Sequence, residues 1–456
     1  MSLKIAVLGA GSLFWSSTII HDLCLIPEMK GSTIALMDID RNRLDAIYRF
    51  ARRYSSEVKF DINFLKTMDR KNAIRDSDYV INTAMVGGHK YYEKMRAISE
   101  KNGYFRGINS VEWNMVSDYH TIWGYYQFQL AMDIARDVEE LSPQSWLLQL
   151  SNPVLELTTL LGRTFGIKSV GICHGHLDYR DIVGSVGLNR DETEAESIGL
   201  NHTIWMTKFK NGSEDAYPTL REWIDKSYSS FYRGWFMASR TNPLSVQMSP
   251  AMVDMYNEYG IVPIGDTVRS GTWKYHRNQR TKVKWYGAMG GFDSAAGWKF
   301  YLDMEERNMN MINNAMANSE PLSYLFPSGL SDEPVVPIIN ALANDVKGTY
   351  QVNLLNNGSI EGIHDNVAVE TPSVIDGRGI HRDVGRKLPR KVMNFSILPR
   401  IQRMEWALEA FTEGGKEILL EWLIADPRTR TNKQAERVID NLLAIDENRI
   451  MAKHFR

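Results

Sequence analysis

The chain begins with Lys4–Leu8, an apolar run that meets Gly9-Ala10-Gly11-Ser12 and then an apolar stretch of helical spacing reaching about Leu25. Few folds accommodate that start. An unbroken apolar run predicts a strand covered on both faces, and a glycine turn straight into a helix is how such a strand leaves a parallel sheet. Thr33–Met37 predicts a second strand ending at Asp38, Asp40–Tyr54 a helix, and Tyr79–Thr83 a further strand entering Met85-Val86-Gly87-Gly88. Strand and helix alternating in this way predict an α/β fold, with a doubly wound parallel sheet at the N-terminal end. The spacing continues with a helix over Tyr119–Leu141 and a strand at Trp146–Leu150 ending in Ser151-Asn152-Pro153. A helix over Val154–Phe165 and a strand over Ser169–Ile172 follow. Asn152 and Cys173 therefore fall at carboxyl ends of successive strands, the edge where open α/β sheets bind ligands.

Past about residue 195 the alternation loosens. Ile198–Phe209 and Val283–Trp285 read as strands, and Gln351–Leu355 with Val367–Glu370 as an antiparallel pair turning at Asn356-Asn357-Gly358. Helices are predicted at Pro250–Tyr259, Trp298–Asn318, Pro334–Asn344, Gln402–Glu413 and Gly414–Ala425. The expected division is a Rossmann-like domain over residues 1–195 packed on a mixed α+β domain over 196–456.

The glycine turn carries two of the three glycines of a dinucleotide fingerprint: Gly9 for the tight turn and Gly11 for close backbone approach to a pyrophosphate. Phe14 stands in the third place. Ser12 opens the helix whose N-terminus would face the phosphates. Asp38 is placed to bind a ribose 2′-hydroxyl and would repel a 2′-phosphate, favouring NAD over NADP. A formal net charge of −2 over 456 residues gives no electrostatic basis for a nucleic-acid or membrane-surface partner, and no apolar run approaches a membrane span. The first residues lack the pattern of a signal peptide, and only Cys24 and Cys173 occur, so a reducing cytoplasm is expected.

Cys173-His174-Gly175-His176 and Leu200-Asn201-His202 supply a thiol and imidazoles at separate chain positions. Lone cysteines and histidines are usually ordinary core residues. Together a thiolate and an imidazole could hold a divalent ion with positions left for substrate. In Pro263-Ile264-Gly265-Asp266-Thr267-Val268-Arg269 the acid and the arginine could be a loop ion pair, or a general base beside a cation. On the residues alone Asp118 reads as a helix cap, and Asn152 equally as a turn residue or a substrate contact.

Read together, these motifs resemble glycoside hydrolase family four. The resemblance is carried by Gly-Ala-Gly-Ser at 9–12, Met-Asp-Ile-Asp at 37–40, Ile-Asn-Thr-Ala at 81–84 and Asn-Met-Val-Ser-Asp at 114–118. Ser-Asn-Pro at 151–153, Cys-His-Gly-His at 173–176, Gly-Leu-Asn-His at 199–202 and Pro-Ile-Gly-Asp-Thr-Val-Arg at 263–269 complete it. Cys173-His174 is most similar to the α-glucosidase branch acting on unphosphorylated sugars, since phospho-sugar branches carry Cys-Asn or Cys-Asp there. Branches cleaving α-galactosides and α-hexuronides also carry Cys-His. The resemblance implies NAD held near Gly9, Gly11, Ser12, Asp38, Asn82 and Thr83, and Mn²⁺ or another divalent transition metal held by Cys173 and His202. It implies oxidation at C3, removal of the C2 proton by Asp266 (in the place of a tyrosine in other branches), and proton donation by His174. Asp118, Asn152 and Arg269 are expected at the substrate, which is a small α-glycoside, and the assembly is expected to be a homodimer or homotetramer. The competing reading is a net NAD-dependent dehydrogenase, which has no need of a thiol–imidazole pair at these positions.

Overall fold

The structure is a computed structural model describing residues 2–105, 120–318 and 320–456. Six parallel strands form its first half: β1 (Lys4–Leu8), β2 (Thr33–Met37), β3 (Asn63–Thr67), β4 (Tyr79–Asn82), β5 (Trp146–Gln149) and β6 (Lys168–Gly171). Their spatial order is β3-β2-β1-β4-β5-β6, with the reversal of direction between β1 and β4. That is the order of a doubly wound dinucleotide-binding sheet, whose ligand crevice opens at the reversal. The unbroken apolar strand has the predicted cause. Ala6 and Leu8 enter the core on one face, Ile5 and Val7 the core on the other, because successive side chains point to opposite faces. Ile5, Val7 and Leu8 each contribute about 1.5–3 kcal/mol on burial.

The later strands are β7 (Thr193–Leu200), β8 (Thr203–Asn211), β9 (Glu214–Asp215), β10 (Val262–Ile264), β11 (Gly348–Leu355), β12 (Ala368–Asp376) and β13 (Gly379–Arg382). They do not make a separate sheet. β11 pairs antiparallel with β6, and the path continues β12-β7-β8-β10, with β13 on β12 and β9 on β8. Among the described residues one 13-stranded sheet runs through both halves.

Some expectations are corrected. Ile198–Phe209 is not one strand but the β7–β8 hairpin, turning at Asn201-His202. Val283–Trp285 lies in a helix, Gln279–Tyr286, since a short apolar run does not distinguish strand from helix. β11 and β12 pair as expected, but Leu355 faces Ala368, so Asn356-Asn357-Gly358 opens a long connection rather than closing a two-residue turn. The helices Pro250–Tyr259, Ala295–Ala317, Val335–Asn344, Leu398–Glu413 and Lys416–Ile424 match the predicted ones to within a few residues. Among the described residues no helix is long and apolar enough to cross a membrane.

Candidate active site

At the β1/β4 reversal, Gly9 adopts φ +83°, and a Cβ there would sit 2.6 Å from the Ala84 Cα, so backbone from two strand ends meets without a side chain between. The N–H groups of Gly9 and Ala10 both donate to the Met37 carbonyl, at 3.0 and 2.9 Å. Gly11 N–H donates to Asp38 Oδ2 at 2.7 Å, and Asp40 N–H to Oδ1 at 2.8 Å. The acid is thus fixed at the end of β2, beside the second glycine. Ser12 is the N-cap of the helix Leu13–Leu23 and its side chain makes no capping bond. Thr83 Oγ1 donates to the Leu8 carbonyl at 3.0 Å. Asn82 is fully buried, its amide donating to Gln149 Oε1 at 2.9 Å and its Oδ1 accepting from Ala84 N–H at 3.2 Å. Its side chain therefore shapes the loop from behind. These features form a cradle of backbone and small residues suited to a dinucleotide.

The second half of the site lies past the ends of β6 and β7. A cross-strand row joins them: Gly171 faces Asn353, Asn353 faces Glu370, and Glu370 faces Gly199. Cys173 and Asn201 each lie two residues beyond an end of that row. Glu370, 1% exposed, accepts from Asn201 Nδ2 at 2.9 Å and from Asn353 Nδ2 at 3.3 Å. Burial pushes this carboxyl up to about 7, against the pull of those amide donors. The Asn201 side chain also hydrogen-bonds the Cys173 sulfur, as does the Gly175 N–H. Burial, reinforced by the Glu370 charge, keeps the thiol well above its ordinary range. His202 is the second residue of the hairpin turn and sits at φ +60°, a left-handed conformation costing a non-glycine residue roughly 1–2 kcal/mol. Ser270 Oγ holds its carbonyl at 2.6 Å. Burial, then the Arg400 charge, lowers its imidazole to about 3, so it is neutral and able to ligate. A sulfur and a neutral imidazole are donors of the kind a borderline transition metal takes. Among the described residues no group of three or more candidate ligands gathers.

His174 stands between the two halves. Its ring stacks on Trp15, in the first turn of the nucleotide-side helix, with centroids 5.8 Å apart and planes at 26°. Its Nδ1 lies 2.8 Å from Glu333 Oε1. Desolvation opposes the charged form, but the Glu333 carboxylate outweighs it and lifts the imidazole to about 9. At neutral pH this ring is a cation with a proton to give. His176 beside it is driven the other way, to about 4, by burial and by the His174 charge.

Gly265, at φ +61°, has no room for a side chain, because a Cβ would lie 2.5 Å from the Gly175 carbonyl oxygen. That approach sets Asp266 against the Cys173 loop. Asp266 Oδ2 lies 3.5 Å from His202 Nδ1, and Oδ1 accepts from Arg269 Nε at 2.8 Å. Burial and the Asp293 charge raise the Asp266 carboxyl, making it a stronger base than an exposed aspartate. Arg269 is buried and is shared between Asp266 and Asp293, whose oxygens lie 3.1 and 3.2 Å from Nη1. It reaches the site through Asp266. Asn152 is half-buried at the start of the helix Val154–Thr164, its Oδ1 accepting from Val154 N–H at 3.4 Å. Asp118 lies outside the described residues. The sequence reading assigned no role to Glu333, Glu370 or Asn201. Glu370 carried a signal, an acid set in an apolar strand; Glu333 carried none.

The fold and the site define a class: a dinucleotide-type α/β protein with a cluster of acid–base side chains, a thiol among them, beside its switch point. Residues 4–188 match the family 4 glycosyl hydrolase model, and residues 197–429 match the family 4 glycosyl hydrolase C-terminal domain. The chain belongs to glycosyl hydrolase family 4. An α-galacturonidase of Thermoanaerobacter italicus is 24% identical over 96% of this chain and 95% of its own length. An α-galactosidase of Bacillus subtilis is 23% identical over 97% of both. A 6-phospho-α-glucosidase from gut microorganisms, solved with NAD and Mn²⁺, shares the fold with a TM-score of 0.78 at 17% identity, covering 98% of each chain.

Proposed function

We propose that this chain is an NAD⁺- and divalent-metal-dependent glycosidase of unphosphorylated α-glycosides. The observation that carries the reading is the position of His174, which stacks on the nucleotide-side helix while its neighbour Cys173 is bonded to the Asn201 side chain. One segment, Cys173-His174, thus touches both the nucleotide-side helix and the turn that carries His202. Relatives solved with NAD and Mn²⁺ support both groups. The Cys-His motif favoured an α-glucoside; the relatives named α-galacturonidase and α-galactosidase favour galactose-configured sugars, neutral or acidic. The mixed domain after residue 195 and a homo-oligomeric state belong to the same proposal, as does a reducing cytoplasm, which would keep Cys173 able to ligate.

Gly9, Gly11, Ser12, Asp38 and Thr83 would hold the dinucleotide, and Cys173 with His202 the cation. When bound, these groups supply a reversible hydride acceptor for C3 and a Lewis acid for the adjoining oxygen. The chain's own side chains do the rest. Asp266, oriented by Arg269, takes the C2 proton of the sugar. The electron pair left at C2 becomes the C1=C2 double bond as the C1–O bond breaks. His174 gives a proton to the departing oxygen, which leaves with the bonding pair. Water then adds at C1, with proton return at C2. Asn152 and Asp118 would hold sugar hydroxyls.

The test is a panel of 4-nitrophenyl α-glucoside, α-galactoside and α-galacturonide with NAD⁺ and Mn²⁺. Hydrolysis should require both additions, without net NADH. Deuterium at C2 should wash into solvent; its retention in product would overturn the mechanism, and net NADH would favour a dehydrogenase.

A further inference from the structure

Glu333 lies far from Cys173-His174 in sequence, yet its carboxylate is 2.8 Å from His174 Nδ1 and only 14% exposed. Its segment is fixed from several sides. Asp22, fully buried on the nucleotide-side helix, accepts from Ser331 N–H at 2.8 Å and from Ser331 Oγ at 2.5 Å. Ser331 Oγ in turn accepts from Glu333 N–H at 3.1 Å. His21 Nε2 lies 3.0 Å from the Gly329 carbonyl, and Asp332 pairs with Arg180 at 2.6 Å. The helix Val335–Asn344 begins two residues after Glu333. On the other side, Trp15 covers one face of the His174 ring. A carboxylate on Nδ1 and an aromatic plane on the face leave the imidazole one orientation, with Nε2 as the nitrogen available to a substrate.

We infer that Glu333 is a positioning residue that holds His174 so that its Nε2 proton meets the departing glycosidic oxygen. This rests on the reading that His174 is the proton donor. The carboxylate accepts the Nδ1 proton as a hydrogen bond and does not take it. The transferred proton is the one on Nε2, and the C1–O electron pair leaves with the protonated oxygen. Asp22 and Ser331 act one step further back, by fixing the backbone of Glu333.

A positioning role for proton donation predicts dependence on the leaving group. A nitrophenolate departs with little protonation, whereas an alkoxide cannot. Glu333→Ala should lower kcat/KM about 100-fold on the methyl α-glycoside and less than about 5-fold on the 4-nitrophenyl α-glycoside of the same sugar, with the loss in kcat. Glu333→Gln keeps an acceptor for Nδ1–H and should recover at least about tenfold of the methyl-glycoside loss. NAD⁺ affinity should match wild type in both variants. A signature independent of turnover is the downfield Nδ1 proton of His174 in histidine-labelled protein, present in wild type and in Glu333→Gln and lost in Glu333→Ala. Equal losses on both glycosides, no recovery in Glu333→Gln, or an unchanged Nδ1 resonance in Glu333→Ala would each overturn the role. A wild type that cleaves nothing in the panel would overturn the glycosidase reading and the proton delivery with it, and the resonance would then decide only whether Glu333 holds His174.

Discussion

The two halves of the site are built from different materials. The nucleotide-side cradle is made of backbone: Gly9 and Ala10 on the Met37 carbonyl, Gly11 on Asp38, Thr83 on the Leu8 carbonyl. Its parts are the carboxyl ends of adjacent parallel strands, so building the sheet builds the cradle. The pocket past β6 and β7 is made of side chains drawn from separated segments: Cys173 and His174, Asn201 and His202, Asp266, Glu333, and Glu370. Its parts are charges and donors in one another's fields, far apart along the chain. A backbone cradle should fail by steric exclusion and leave its neighbour intact. A side-chain network should fail on isosteric changes that alter only charge or a hydrogen bond.

The sharpest attempt to separate them is Cys173→Ser. Mn²⁺ affinity, read by calorimetry, should fall at least about 100-fold and turnover should vanish, while NAD⁺ affinity stays within about 2-fold. Loss of both affinities together would mean that the halves are one unit. The converse is Gly9→Ala. With φ +83° and only 2.6 Å to the Ala84 Cα, an added methyl costs about 1–3 kcal/mol of strain. That should appear as roughly a 5–150-fold loss of NAD⁺ affinity with Mn²⁺ affinity unchanged. Glu370→Gln tests the isosteric claim, since it keeps shape and removes charge behind Asn201. Metal affinity should drop about tenfold, at the low end for a residue supporting a ligand, with no change in NAD⁺ binding; an unaffected metal site would reduce Glu370 to a strand-packing residue.

The gentlest probe is pH. The Cys173 thiol, raised by burial and by Glu370, holds its proton at neutrality unless a cation displaces it. His202, near about 3, has no proton to lose there. Metal binding between pH 6 and 8 should therefore release at least one proton and strengthen at least about tenfold per pH unit as pH rises. A flat profile would exclude the thiol as a ligand, and a steeper one would mean that a second group loses its proton on binding. NAD⁺ affinity should show no matching slope.

Much of the first half was legible because its signals are local. β2 falls on Thr33–Met37, as read from the apolar run, and Asp40 caps the following helix through Asn42 and Arg43 N–H. β3 was missed because Asn63–Thr67 buries only Phe64 and shows no continuous apolar run. The β7–β8 turn was missed because Asn201-His202 carries no glycine, and His202 takes the left-handed conformation itself. Glu156 and Arg400 form a buried pair at 2.8 Å between helices remote in sequence, and no pattern in either segment announces the other.

Taken alone, the sequence determined the order of elements, the strand ends, the glycine turn and the residue types able to do acid–base and metal chemistry. Each follows from interactions within a few residues, where periodicity and backbone sterics act. Only the tertiary structure decided that the later strands extend the same sheet, that Glu333 meets His174, that Glu370 stands behind Asn201, and that Arg269 serves Asp266. Those pairings depend on which strand edges meet when the two halves join in one sheet, and no local propensity encodes that choice.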